Sequence, residues 1–256
     1  MSTPQLSMIS LDLDRSMLAR FGRSMGLPLQ TADEGYLAHC AMRAAFGALA
    51  PQPFAMRPAR GRFARVLGYA DASADALRDH AASFAEPIAH SACNLPSIAA
   101  KRMPEAWPAG MHLGFEVRVC PIRRPSDNAS RKAAGATRDH AEVDCFLSEC
   151  WKAEADVRLS REEIYCSWLA RELARDGAAT MRAAQMISFR RIRLSRSDHT
   201  AARRLRVCER PDATVEGLLE VASPVAFAAL LRRGVGRHRA FGFGMLLLRP
   251  AGDDHA

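Results

Sequence analysis

Apolar and polar residues alternate at the start of the chain. Ser7-Met8-Ile9-Ser10-Leu11-Asp12-Leu13 has the period of two that turns one face of a strand toward a core. The period then lengthens. Asp33 and Glu34 open a helical stretch through Leu49, with Asp33 placed as N-cap and Pro51 beyond the end. Pro53–Met56 and Arg65–Tyr69 read as paired strands joined by an Ala-Arg-Gly-Arg turn, and Ser73–Phe84 as a helix with Ala76, Leu77, His80 and Phe84 in phase. Residues 86–110 are punctuated by proline and predict one short strand near Arg102–Trp107. The order is strand, helix, strand, strand, helix, strand.

The second half repeats that order. Met111–Ile122 is a strand, Arg123–Asp139 a loop rich in Arg, Ser, Ala and Gly, and Ala141–Trp151 contains a short helix. Ser160 with Glu163 three residues on is a capping box for a helix through Leu173. Strands follow near 185–196, 203–209 and 214–221, the first with a bulge at Arg190–Arg191, where the apolar phase slips by one residue. Ser195–Ala202 reads as the loop between the first two. Ser223-Pro224 opens a helix through Leu231 that Gly234 stops, and Gly242–Leu248 is the last strand. Two successive βαββαβ units predict an α+β chain of tandem ferredoxin-like (RRM-like) domains, 1–109 and 110–256. The prediction rests on element order alone, because the halves share no visible sequence identity.

Composition narrows the class. Of the 256 residues, 48% are hydrophobic and 25% charged, which excludes wholesale disorder. Seven cysteines, an odd number with no Cys-x-x-Cys, fit neither a disulfide framework nor a zinc site. The first fourteen residues include Asp12 and Asp14 and lack a signal peptide's basic and apolar regions. No run approaches the ~18 apolar residues of a membrane helix. A soluble cytoplasmic protein with no membrane partner is expected.

Charge narrows it further. The net charge is +8, and residues 182–210 hold nine arginines against Asp198 and Glu209, which leaves the rest of the chain near neutral. A concentrated stripe of cations suits a phosphate backbone, since it releases counterions together. The arginines alternate with apolar residues, as in Arg204-Leu205-Arg206-Val207, and predict a hairpin with one basic face: Arg190, Arg191, Arg193, Arg196, Arg203, Arg204 and Arg206. A solvated sheet face would carry the same pattern, because arginines on an edge also discourage strand addition.

Two segments hold candidate chemistry. Tyr36 and His39 stand three residues apart on the helix of 33–49, so phenol and imidazole share a face. An imidazole with an unperturbed pKa of ~6.5 suits proton transfer at neutral pH. Such a pair by itself is more often packing than catalysis. The second segment is Gly234-Val235-Gly236-Arg237-His238-Arg239-Ala240-Phe241-Gly242-Phe243-Gly244. Its glycines let backbone approach a ligand, and Arg237, His238 and Arg239 offer donors to phosphate. It precedes a strand rather than opening a helix, so it is neither a Walker A loop nor a dinucleotide fingerprint. A helix stop and tight turn would account for Gly234 and Gly236 but not for Gly242 and Gly244. His80, His90, His112, His140, His199 and His255 show no metal-ligand spacing, and no metal or cofactor is expected.

The glycine-rich segment, continued through Met245-Leu246-Leu247-Leu248, closely resembles the C-terminal signature of the CasE family, the CRISPR repeat endoribonucleases of type I-E systems. Tyr36-x-x-His39 resembles that family's catalytic Tyr-x-x-His, and Phe115–Arg124 the strand that opens its second domain. The resemblance implies tandem RRM-like domains, metal-independent cleavage of a CRISPR repeat RNA hairpin, and retention of the product among the other Cascade subunits. It makes His39 and Tyr36 catalytic; Arg43, the hairpin arginines, Gly234, Gly236, Arg237, His238 and Arg239 are the expected RNA contacts. Met42-Arg43 replaces the usual Leu-Trp, and the loop of 123–150 is longer than in many members. A non-catalytic RNA-hairpin-binding subunit of the same fold is the alternative. A small-molecule enzyme on this scaffold would have no use for the basic window.

Overall fold

The structure is a computed structural model that describes residues 5–27, 33–57, 61–124, 142–154, 157–197 and 205–251. It is built on two four-stranded antiparallel sheets. The first contains β1 (Ser7–Asp14), β2 (Phe54–Arg57), β3 (Phe63–Ala70) and β4 (Cys93–Arg102) in the order β2-β3-β1-β4. The second contains β5 (His112–Val119), β8 (Ala179–Ser197), β9 (Leu205–Val221) and β10 (Leu246–Pro250) in the order β10-β5-β9-β8. By order of appearance within each half, both run 4-1-3-2. The two halves are tandem ferredoxin-like units, as the element order predicted. A two-residue ladder, β6 (Ile122–Arg123) with β7 (Val143–Asp144), flanks the second sheet.

Alternation in β1 buries Ile9, Leu11 and Leu13 beneath four helices: α1 (Arg15–Ser24), α2 (Glu34–Phe46), α3 (Ala74–Phe84) and α4 (Pro87–Ala92). Neither α1 nor α4 figures among the sequence-predicted elements. The Asp14 carboxylate caps α1 by accepting from the Ser16 and Met17 amides, and Pro87 starts α4. Three more helices follow among the described residues: α5 (Cys145–Cys150), α6 (Arg161–Ala174) and α7 (Pro224–Arg233). Tyr165, Trp168 and Leu169 of α6 and Phe227 and Leu230 of α7 cover Phe115, Val117, Val215 and Leu219 of the second sheet.

That second core reaches across the chain. Leu6, Ala55, Tyr69 and Met103 belong to it, and the buried Tyr69 hydroxyl donates to the Leu246 carbonyl at 2.8 Å. Burial without a charged partner pushes the Tyr69 phenol well above its usual range.

Five expectations change. The strand placed near Arg102–Trp107 is β4, which ends at Arg102 and contains Pro96; as an edge strand paired only with β1, it loses no ladder bond there, and the register shifts at this point. The strands expected at 203–209 and 214–221 are one strand, β9, running through Pro211. Arg190 and Arg191 pair in regular register with Asp212 and Pro211; the bulges lie between Met181 and Ala183 and between Met186 and Ser188. β8 runs to Ser197, past the expected loop start at Ser195. The last strand begins at Leu246, so Gly242 and Gly244 precede it, both with positive φ. Ala59 and Arg60 of the Ala-Arg-Gly-Arg turn, most of the loop of 123–139, and the end of the 195–202 loop lie outside the described residues.

Candidate nucleic-acid interface and catalytic pair

Helix α2 places the first part of the site. The Asp33 carboxylate accepts the Tyr36 amide at 3.1 Å and so fixes the helix start. Leu37, Ala38, Ala41, Met42, Ala45 and Phe46 are buried in the first core. Tyr36, His39 and Arg43 follow one another on the adjacent stripe, one helical turn apart. The Tyr36 and His39 rings lie 6.5 Å apart, centroid to centroid, at 29°. His39 is half-buried; burial lowers its pKa from 6.5, and the positive charge of Arg43 lowers it further. At neutral pH the imidazole is therefore a base with a free lone pair. Arg43 is exposed beside it.

The glycine-rich segment places the second part. It leaves α7 at Gly234, whose backbone adopts φ 72°, and returns beside its start: the Val235 amide donates to the Gly244 carbonyl at 2.8 Å. A Cβ on Gly236 would lie 2.7 Å from the Trp168 ring, and one on Gly244 would overlap the Val235 carbonyl. These glycines allow close packing of the loop on itself and on α6. His238 takes a left-handed conformation, φ 60°, and opens a single 3-10 turn, Arg239–Phe241. The Arg239 guanidinium donates to the Arg233 carbonyl.

The two parts meet at Phe241. Its ring stacks on Tyr36 at 5.1 Å and 21°, and His238 packs edge-on against its flank at 5.8 Å. Four rings thus run in sequence from His39 through Tyr36 and Phe241 to His238. Gly35 lets the helix approach this closely, since a Cβ there would overlap the Phe241 carbonyl. Phe241, Phe243, Leu194, Cys120 and Ile122 form a small core that ties the loop to the β8–β9 hairpin. The Arg118 guanidinium lies 4.1 Å above the Phe243 ring and donates to the Phe241 carbonyl at 3.3 Å.

Two carboxylates organise the cations around this junction. Asp212, almost fully buried, accepts both nitrogens of a forked Arg118 contact at 2.7 and 2.9 Å and Arg190 Nε at 2.7 Å. Burial alone would raise its pKa; the two guanidinium groups more than offset that and lower it. Glu142 lies 3.1 Å from His238 Nε2, and accepts from Arg210 at 3.1 Å and Arg237 at 3.2 Å. Burial opposes its charge, yet the His238 hydrogen bond and the cations hold its pKa at about 2.

The arginine stripe is therefore less free than its composition implied. Acids outside the 182–210 window take up Arg182, Arg190 and Arg210, through Glu220, Asp212 and Glu142. Arg191 and Arg193 are exposed and share Glu209 at 3.3 and 3.6 Å. The backbones of Arg196 and Arg206 pair in register in the hairpin ladder, and Arg203 and Arg204 lie outside the described residues. A cleft of about 810 Å³ between the two sheets joins the hairpin to the helix start, with Asp33, Gly35, Arg57, Arg118, Arg190 and Asp212 in its walls. Arg57 of β2 and Glu116 of β5 span it at 2.5 Å.

Tyr36 is thus brought against the glycine-rich loop, and His39 and Arg43 continue the same stripe of α2. Phe241, Gly35, Arg118, Asp212 and Glu142 are additions. Glycine at position 35, in the first turn of a helix, was the one legible signal. The ion pairs cross about 60 to 100 residues of chain and have no local signature.

Comparison with known proteins defines the class. A family model described as CRISPR associated protein matches residues 6–250, and the chain belongs to that family. Solved structures share its fold. A CRISPR endoribonuclease Cse3 bound to a 19-nucleotide RNA superposes with a TM-score of 0.62 at 20% identity, covering 96% of this chain and 100% of that one. The CRISPR-associated protein Cas6e of Escherichia coli K-12 gives 0.56 at 18% identity, with 96% and 100% covered. A chain of a CRISPR RNA-guided surveillance complex gives 0.54 at 12%, again with 96% and 100% covered. No curated protein matches by sequence. No described helix is long and apolar enough to cross a membrane.

Proposed function

We propose that the protein is an endoribonuclease that cuts CRISPR precursor RNA at the repeat hairpin and keeps the mature RNA within a Cascade complex. The observation that carries this reading is the His39–Tyr36 pair seated on Phe241, a neutral base and a phenol at the meeting point of two RRM-like units. The family match and the RNA-bound Cse3 neighbour support it. Residues 1–109 supply the catalytic helix, and 110–256 the basic hairpin and glycine-rich loop.

The chemistry needs no metal. His39 takes the proton of an RNA 2′-hydroxyl, and the freed oxygen attacks the adjacent phosphorus. The 2′-O–P bond forms as the P–O5′ bond breaks, leaving a 2′,3′-cyclic phosphate, while the 5′ oxygen takes up a proton and departs as a hydroxyl. Tyr36 orients the attacking hydroxyl or the phosphate, and Arg43 offsets phosphate charge, where fixed cations act most strongly on charge that develops in the transition state. Arg191, Arg193 and the hairpin beyond them grip the stem through phosphates. Shape dominates that recognition, because the A-form major groove is too deep and narrow to be read easily.

The test is a cleavage assay in EDTA on the repeat RNA of the same CRISPR locus, with wild type beside His39→Ala. Cutting by wild type alone at one site, blocked by a 2′-deoxy nucleotide there, is the expected result. Retained cutting by His39→Ala removes His39 from the chemistry. Tight binding without product from wild type makes the protein a hairpin-binding subunit instead.

A further inference from the structure

Glu142 lies at the edge of β7, outside both segments that the sequence singled out, and its contacts converge on one of them. Its carboxylate meets two neighbouring side chains of the glycine-rich loop, Arg237 at 3.2 Å and His238 at 3.1 Å. A third partner, Arg210 of β9, lies at 3.1 Å and ties that carboxylate to the second sheet. Both Glu142 and His238 are largely buried, with 17% and 13% of their side-chain surface exposed. A charged hydrogen bond shielded to this degree holds geometry far better than a surface pair does.

What it holds is unusual backbone. His238 has φ 60°, a conformation that is costly for a residue with a Cβ and that glycine supplies at the other bends of this loop. An external contact must therefore keep His238 there, and the imidazole's bond to Glu142 is one. The His238 carbonyl accepts the Phe241 amide at 2.8 Å, which closes the 3-10 turn and sets the direction of the Phe241 ring. That ring is the surface on which Tyr36 stacks at 5.1 Å. Gly35 leaves no slack on the helix side, so a shift of Phe241 passes directly to the start of α2.

We propose that Glu142 is a positioning residue for the catalytic pair: through His238 and the Phe241 turn it fixes the stacking surface that orients Tyr36 beside His39. The role rests on the proposed ribonuclease reading for its effect on rate, but not for its effect on the free protein. Glu142→Gln keeps the size of the side chain and removes its charge, which loosens all three contacts together. Arg118 holds the Phe241 carbonyl independently, so the loop stays in place while the ring gains freedom.

The free protein is tested by NMR with 13C-tyrosine, which labels only Tyr36, Tyr69 and Tyr165. In Glu142→Gln the Tyr36 ring signals should move, as stacking on Phe241 relaxes, while those of Tyr69 stay in place and report an intact fold. Single-turnover cleavage at saturating RNA should slow about tenfold, in line with the cost of sub-ångström misplacement. RNA affinity should change by less than the rate does. In a Phe241→Ala background, Glu142→Gln should cost nothing further, and Glu142→Asp should restore part of the rate. Unmoved Tyr36 signals, or losses that simply add to those of Phe241→Ala, overturn the proposal. Absence of cleavage by wild type would instead defeat the ribonuclease reading, and the NMR comparison would still decide the link from Glu142 to Tyr36.

Discussion

Gly35→Ala perturbs the junction by one methyl group and leaves every ionisable residue in place. Two effects oppose each other. Alanine favours a helix over glycine by up to about 1 kcal/mol, and less in a first turn. The added carbon, however, would lie 2.8 Å from the Phe241 carbonyl carbon and 2.9 Å from Asp33 Oδ1. Carbon atoms rest about 3.7 Å apart, so α2 and the loop must separate by roughly 0.9 Å. Neither neighbour yields easily, because one is backbone held by Arg118 and the other is the helix cap. Overpacking of this kind costs about 1–3 kcal/mol, which the helix gain partly offsets. Thermal unfolding should fall by a few degrees at most for a chain of this size. Cleavage should suffer more, since a displacement near 1 Å at a reacting pair costs on the order of 100-fold. Single-turnover cleavage of repeat RNA, measured beside a melting curve, separates the two. A variant that melts several degrees lower yet cuts at the wild-type rate would show that this close approach does not align the pair.

Cleavage rate against pH should rise through the pKa of His39, which lies below 6.5, and be flat at neutral pH and above, as expected of a base that must be unprotonated; a rate that falls as pH rises through that range would make His39 an acid. Arg193→Ala should weaken hairpin binding and reduce the slope of log affinity against log salt by a little under one unit for each phosphate it no longer neutralises; an unchanged slope in a salt titration places this arginine away from the RNA. Glu142 is held at about 2 when folded, against 4.5 when free, so its contribution is full above pH 4.5 and disappears as pH falls toward 2. Glu142→Gln should thus cost about 3 kcal/mol of unfolding free energy at pH 6 and very little near pH 2; an equal cost at both, in urea titrations, would show that its charge contributes nothing.

The period of two in β1, the capping residues Asp33, Ser73, Ser160 and Ser223, and the Gly234 stop are local signals, and local backbone preferences settle them. They were enough for element order, and element order was enough for the tandem fold. The Tyr36–His39 stripe was legible for the same reason, since helical spacing alone puts the two on one face. Where the sequence misled, a tertiary partner decided. Pro96 and Pro211 look like strand breakers, but β4 pairs with β1 on both sides of the register shift at Pro96, and pairing with β8 carries β9 through Pro211. Gly242 and Gly244 sit among strand-forming residues, yet packing against Val235 and the second sheet holds them in the turn before β10.

The charge pattern divides the same way. Its total and its concentration in 182–210 follow from the sequence, and they point to an anionic partner. Which arginines remain available follows only from the fold, because Asp212, Glu220 and Glu142 come from other segments to meet them. The ring sequence from His39 to His238 likewise unites residues about 200 positions apart. A sequence determines which groups can do chemistry wherever their spacing is local. It leaves to tertiary packing the choice of partners, because ion pairs and stacked rings depend on distances in space that chain separation does not encode.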